Sequence, residues 1–262
     1  MCAPAALDDA STGWPATIDA LVAAQQALVA ARPEPWRLPV SALAVAGCFI
    51  CNERGHVGAG AAGDLVWAAT ALHETPDRRG AAKTTPSRVH VAVVTGRAPA
   101  SYVPGLLALR DGPLLEAAVR RLPARPDILL VNATGRDHPR RAGLALHLGA
   151  RLDVPTIGVT ARPLLARGEP PGDEPAAWSP LRIDGDVVAC WLRPRAGVRP
   201  IAVHPGWRTD LETAVAVVTA ATRDARTPEP LRLARRAARE ARVACGGCAG
   251  AAAGGDRTAN TA

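Results

Sequence analysis

The feature that most constrains this chain is the order in which strand-like and helix-like stretches follow one another. Before about residue 100 three strand patterns come in succession. Residues 43–51 (LAVAGCFIC) are continuously apolar, 64–72 (DLVWAATAL) follow a Gly-rich turn, and 88–95 (RVHVAVVT) alternate with β-branched residues. Strands joined directly by turns predict an antiparallel meander. After residue 100 the pattern changes. A helix lies within 104–122, best marked in LLEAAVRRL, then come a buried strand at 127–131 (DILLV), a helix over 141–152 and a short strand at 155–159 (PTIGV). Parallel strands need helical crossovers, so three antiparallel strands followed by α-β-α-β predict an α/β fold whose mixed sheet is flanked by helices.

The flanking segments extend this plan. Residues 17–31 carry apolar residues at helical spacing until Pro33 and Pro35 end the helix. Beyond a Pro/Gly/Asp/Glu loop at 168–175, residues 186–192 and 199–203 read as two more strands. A helix is expected to begin at Thr209, where Thr209 and Glu212 form a capping-box pair. Its continuation after Pro228 places Arg232, Arg235, Arg236, Arg239 and Arg242 along one stripe, which reads as a phosphate-tracking face or as a solvated surface. The expected organisation is one domain over residues 17–243 with a loop insertion at 74–87, a flexible N-terminus at 1–16 and a disordered tail at 244–262.

Charge narrows the partners. The 262 residues have a formal net charge of +7 and one lysine, Lys83, so the excess is almost all arginine. Guanidinium groups match phosphate oxygens bidentately, so DNA or RNA is the expected partner, bound in large part non-specifically. An arginine-rich composition with no partner behind it also produces such a surface. No apolar run is long enough to span a membrane and the N-terminus lacks a leader pattern, so a cytoplasmic protein is expected. The pairs Cys48/Cys51 and Cys245/Cys248 raise the question of a four-thiolate zinc site. Residues three apart on a strand point to opposite faces, so unliganded thiols are expected instead.

The segment from Tyr102 reads YVPGLLALRDGPLLEAAVRRL and continues as PDILLVNATGRDHPRRAGLALHLGARLDVPTIGV. It resembles the endonuclease V pattern of a YIPG wedge, an FRE-type turn, a strand ending in DGxGxxHPR, a GLASHLG-type helix and PTIGVAK. VAG at 45–47, HPGWRT at 204–209 and RTPEPLRLA at 226–234 add to it, in the same order and spacing. The resemblance runs from about residue 17 to 240. It implies a ribonuclease H-like sheet and a magnesium-dependent enzyme that cuts DNA or RNA on the 3′ side of deoxyinosine or inosine. That chemistry needs clustered carboxylates to hold a divalent ion against a phosphate.

Position by position, the implied site is eroded. The first-strand aspartate of the resemblance falls on Phe49, and the second metal aspartate on Asn132. The glutamate after the FR pair falls on Asp111, the histidine of HPR on His138 and the lysine after IGVA on Ala161, while the pocket glycine falls on Ala133. The metal ligands left are Asp111 and, weakly, Asn132. Neither 43–51 nor 129–131 contains a carboxylate, so the loss does not depend on register. The wedge is better kept. Tyr102, Val103, Pro104 and Gly105, with Arg140 of the HPR motif, are the implied nucleic-acid contacts. The expectation is therefore a nucleic-acid-binding relative whose cleavage is lost or strongly impaired. Two alternatives remain open: an active nuclease with a site rebuilt on Asp111 and His138, with Asp137 or Asp64 as replacement carboxylates, or a cleft recruited for a small phosphorylated or nucleoside ligand. A protein partner is a further outcome.

Overall fold

The structure, a computed structural model, describes residues 13–39, 43–53, 60–75 and 88–252, with side chains described only to residue 245 at the C-terminal end. Most of the expected N-terminal and C-terminal tails and the insertion at 76–87 lie outside the described residues. Strands β1 (Leu43–Asn52), β2 (Leu65–Thr75) and β3 (Arg88–Arg97) form the antiparallel meander. Helix α2 (Leu107–Arg120) then crosses to β4 (Ile128–Val131), and α3 (Leu144–Leu152) crosses to β5 (Thr156–Thr160). Both strands run parallel to β1, as the alternating pattern requires.

The sheet is wider than the sequence pattern alone indicates. β8 (Ile201–Pro205) pairs antiparallel with β5, and β7 (Asp186–Leu192) and β6 (Trp178–Ile183) complete an eight-stranded order β3-β2-β1-β4-β5-β8-β7-β6. This is a ribonuclease H-like arrangement. The sequence pattern does not predict β6 because Pro180 sits inside it, and proline is tolerated there because β6 is the edge strand, with a register shift between Leu181 and Arg182.

Alternation along β1 divides the core between two faces. Ala46 and Cys48 join a cluster with Leu21 of α1 (Ile18–Ala30), Leu114 of α2 and Leu148 of α3. Val45 faces the other side, packing with Val217 of α4 (Leu211–Ala221) and Leu231 of α5 (Glu229–Ala252), and Cys51 packs there with Ala238 of α5. Cys48 and Cys51 thus point apart, and the Cys51 Sγ donates to the Ala238 carbonyl. The start of α5 lies directly on β1, because a Cβ at Gly47 would come within 2.4 Å of the Pro230 carbonyl carbon.

Two local expectations are corrected. The cap of α4 is Asp210, whose carboxylate accepts from the Thr213 N–H at 2.7 Å. Thr209 is drawn away, donating to Thr156 O at 2.7 Å and accepting from Gly206 N–H at 2.9 Å, so the Thr209/Glu212 box does not form. α4 and α5 are separate helices, and α5 continues to Ala252 through residues expected to be irregular. No helix among the described residues is long and apolar enough to cross a membrane.

Candidate nucleic-acid interface

Between β3 and α2 the chain makes the Tyr102-Val103-Pro104-Gly105 turn, with Tyr102 40% and Val103 42% exposed. Exposed apolar side chains on a proline-stiffened turn can insert between bases without first losing conformational freedom. Gly105 has φ +79°, a left-handed conformation that a side chain resists. Beneath the turn lies a cleft of about 200 Å³, whose walls include Asn132, Ala133, Thr134, His138 and Thr160 as well as the turn itself. That volume falls below the range usual for drug-sized ligands and suits a group about as large as one base.

The Gly105 carbonyl fixes the turn. It accepts from Arg140 Nη2 at 2.7 Å, His138 Nε2 at 3.1 Å and Gln25 Nε2 at 3.3 Å. His138 Nδ1 in turn accepts the Arg140 backbone N–H at 3.1 Å, so the proton of the neutral ring belongs on Nε2, where it points at Gly105. Gln25 is buried on α1, also donates to Ala142 O at 3.1 Å and accepts from Arg140 Nε at 2.5 Å. Sequence reasoning missed Gln25, although an amide on the inward stripe of an apolar helix was the available signal. His138 and Arg140 therefore hold the wedge in place.

The positions that the resemblance assigns to the metal site, Phe49, Asn132 and Ala161, lie toward the C-terminal ends of the central strands. Cys48 pairs with Val131, so Phe49 and Asn132 are the next neighbours across β1 and β4, and the Asn132 N–H reaches Cys48 O at 3.4 Å. The half-buried Phe49 ring lies under the guanidinium of Arg235, 5.8 Å from its centroid. The Ala161 carbonyl, just past β5, accepts from Arg226 Nη2 at 3.2 Å. Asp111 is buried on α2 and does not line the cleft. Burial pushes its carboxyl up to about 7, against the opposing pull of Arg110, whose Nε is 3.8 Å away.

The two replacement carboxylates are committed elsewhere. Asp137 is fully buried and accepts the backbone N–H groups of Leu164, Leu165 and Ala166 at 2.6, 2.8 and 2.8 Å. Asp64 pairs with Arg110 at 3.2 Å and accepts from the Ala61 N–H at 2.7 Å. Among the described residues no group of three or more His, Cys, Asp or Glu side chains could hold a metal ion. An apolar ring, one amide and a carboxyl outside the cleft, with guanidinium groups beside them, do not fit a divalent cation that demands oxygen ligands in octahedral array.

Three histidines give the molecule an acid-side weakness. Burial pushes His138, His147 and His204 each down to about 4. An unfolded histidine titrates near about 6.5, so between those limits the unfolded state binds more protons and stability falls as pH drops. Asp111 acts in the opposite direction over much of the same window, since its folded form holds a proton up to about 7. Three groups against one predict a lower urea midpoint at pH 5 than at pH 7; an equal or higher midpoint at pH 5 contradicts the assigned neutral imidazoles.

The family model described as Endonuclease V matches residues 80–236. An Endonuclease V of Roseiflexus sp. (strain RS-1) is 44% identical over 133 residues, which is 51% of this chain and 60% of the relative. That of Methanopyrus kandleri is 46% identical over 142 residues, 54% and 61%. The chain thus matches about 60% of the length of these curated relatives. The crystal structure of the Streptomyces avermitilis Endonuclease V superposes with a TM-score of 0.74 at 35% identity, covering 87% of this chain and 94% of that one. The catalytic domain of human Endonuclease V gives 0.69 at 26% identity, covering 86% and 96%.

Proposed function

From the premise that this chain belongs to the endonuclease V family, we propose that it binds DNA or RNA at flawed base pairs, seating an extruded base beneath the Tyr102–Gly105 wedge, without metal-dependent cleavage. The observation that carries this reading is the contrast between the anchored turn and the strand ends near it. The turn is anchored through three donors to Gly105 O, whereas the neighbouring strand ends present Phe49 and Asn132 where a divalent ion would need carboxylates. A solved family relative from Ciona intestinalis is in complex with DNA containing an inosine, and the net charge of +7 favours a polyanion here too. A site rebuilt on Asp111 and His138 finds little support, because Asp111 lies outside the cleft and both nitrogens of His138 are engaged.

Base extrusion is easier at a mismatched pair, and an apolar wedge fills the gap it leaves. Tyr102→Ala should therefore weaken binding to an inosine-containing or mismatched duplex by about tenfold, as expected for the loss of one stacked aromatic, while binding to a perfect duplex changes little. Fluorescence anisotropy with labelled duplexes measures both. Equal losses on the two duplexes would remove the wedge from the account.

A further inference from the structure

Of the five arginines on α5, two are held within the helix, Arg232 by Glu229 at 2.6 Å and Arg236 by Glu240 at 2.8 Å. Arg242 donates to the Asn52 carbonyl at 3.0 Å. Arg235 is different. No carboxylate among the described residues pairs with it, it is exposed, and its guanidinium lies over the Phe49 ring. At 100° per residue, Arg235 and Arg239 share one flank of α5, while Ala237 and Ala241 on the other flank pack with Trp67 of β2 and Val93 of β3. The arginine flank therefore turns toward β4, whose end carries Asn132 in the wall of the cleft.

A cation resting on an aromatic face is held in place while its N–H edge stays free to donate, and a guanidinium edge matches two oxygens of a phosphate. Asn132, whose backbone N–H reaches Cys48 O at 3.4 Å, is exposed just past the neighbouring strand and carries a further amide donor. Arg226, bound to the Ala161 carbonyl at 3.2 Å, adds positive charge along the same strand ends. The strand ends next to the cleft thus carry cations where a bound divalent ion would need anionic ligands.

We infer that Arg235, seated on Phe49 and assisted by Asn132, is a metal-free clamp for one backbone phosphate of the strand whose base enters the cleft. This inference rests on the nucleic-acid-binding reading above and names the group that takes the strand's charge. A clamp of this kind holds a phosphodiester in its ground state. It supplies no activated water, so binding is not followed by hydrolysis.

The test uses the full chain and a fluorescent duplex with one deoxyinosine, in EDTA at fixed ionic strength. Arg235→Gln should weaken binding by about tenfold or more, the loss expected for a hydrogen bond to a charged group. Arg236→Gln, which removes an arginine already paired on the outer side of α5, should change it by less than about twofold. Neutral methylphosphonate linkages are then placed one at a time along the inosine strand. One linkage near the inosine should weaken wild-type binding by a factor similar to that of Arg235→Gln, and should have no further effect on the variant. Magnesium at constant ionic strength should not strengthen wild-type binding. Measurable wild-type binding with equal losses in the two variants, with no linkage that couples to Arg235, or with affinity strengthened by magnesium would overturn the clamp alone. Absence of wild-type binding at low salt would instead sink the reading on which it rests.

Discussion

Incubated with magnesium and a deoxyinosine duplex, the protein is expected to leave the strand intact, with any cutting slower by about a thousandfold or more than that of a family member with its carboxylates in place. The cause is electrostatic. Hydrolysis of a phosphodiester requires charge to be stabilised at the transferring phosphorus and a water to be acidified by a metal. Here Phe49 and Asn132 stand at the two strand ends, Asp111 is a buried carboxyl with its pKa near 7 outside the cleft, and Ala161 offers no ammonium. These groups act as a unit around one ion, so restoring one of them should recover little. A denaturing gel of end-labelled duplex measures the rate. Cutting at an intact relative's rate that is also lost in Asp111→Ala would mean that a metal site forms in another arrangement.

Asp137→Ala should lower the melting temperature by roughly 10 °C. The Asp137 carboxylate is the common acceptor of three backbone N–H groups at 164–166, all within 2.8 Å. Removing it orphans one buried and two partly buried donors, at about 1–3 kcal/mol for the buried one and less for the others, and each kcal/mol shifts the midpoint of a domain of this size by about 2–4 °C. Asp137→Asn keeps one acceptor oxygen and should fall between. Calorimetry on the two variants checks the order. An unchanged midpoint in Asp137→Ala would free this carboxylate for a part in the cleft.

The fold was legible where the pattern had a single physical cause. Continuous apolar residues in 128–131 signal a strand buried on both faces, and the run of turns before residue 100 signals a meander, as β4 and β1 to β3 bear out. Edge features were harder, because β6 carries Pro180 and exposed residues that resemble a loop. The resemblance assigns Phe49 and Asn132 to the metal site by spacing, and the structure puts Phe49 on β1 and Asn132 just past β4, next to each other across the pairing of Cys48 with Val131. The commitments of Asp137, Asp64 and His138 could not. Their partners are backbone groups on other loops, and nothing in a carboxylate's local sequence reveals which distant N–H it accepts. The seating of Arg235 on Phe49 is likewise a product of how α5 crosses β1, set by the close approach of Pro230 to Gly47.

The central claim is that recognition survives here without cleavage, and one paired assay tests it most directly. Anisotropy of a labelled inosine-containing duplex is titrated in EDTA against its perfect counterpart, and the same samples, after magnesium is added, are run on a denaturing gel. The account predicts tighter binding to the flawed duplex without metal, affinity that declines steeply with salt, and an uncut strand. A strand cut beside the inosine once magnesium is present, or equal affinity for both duplexes, would contradict it.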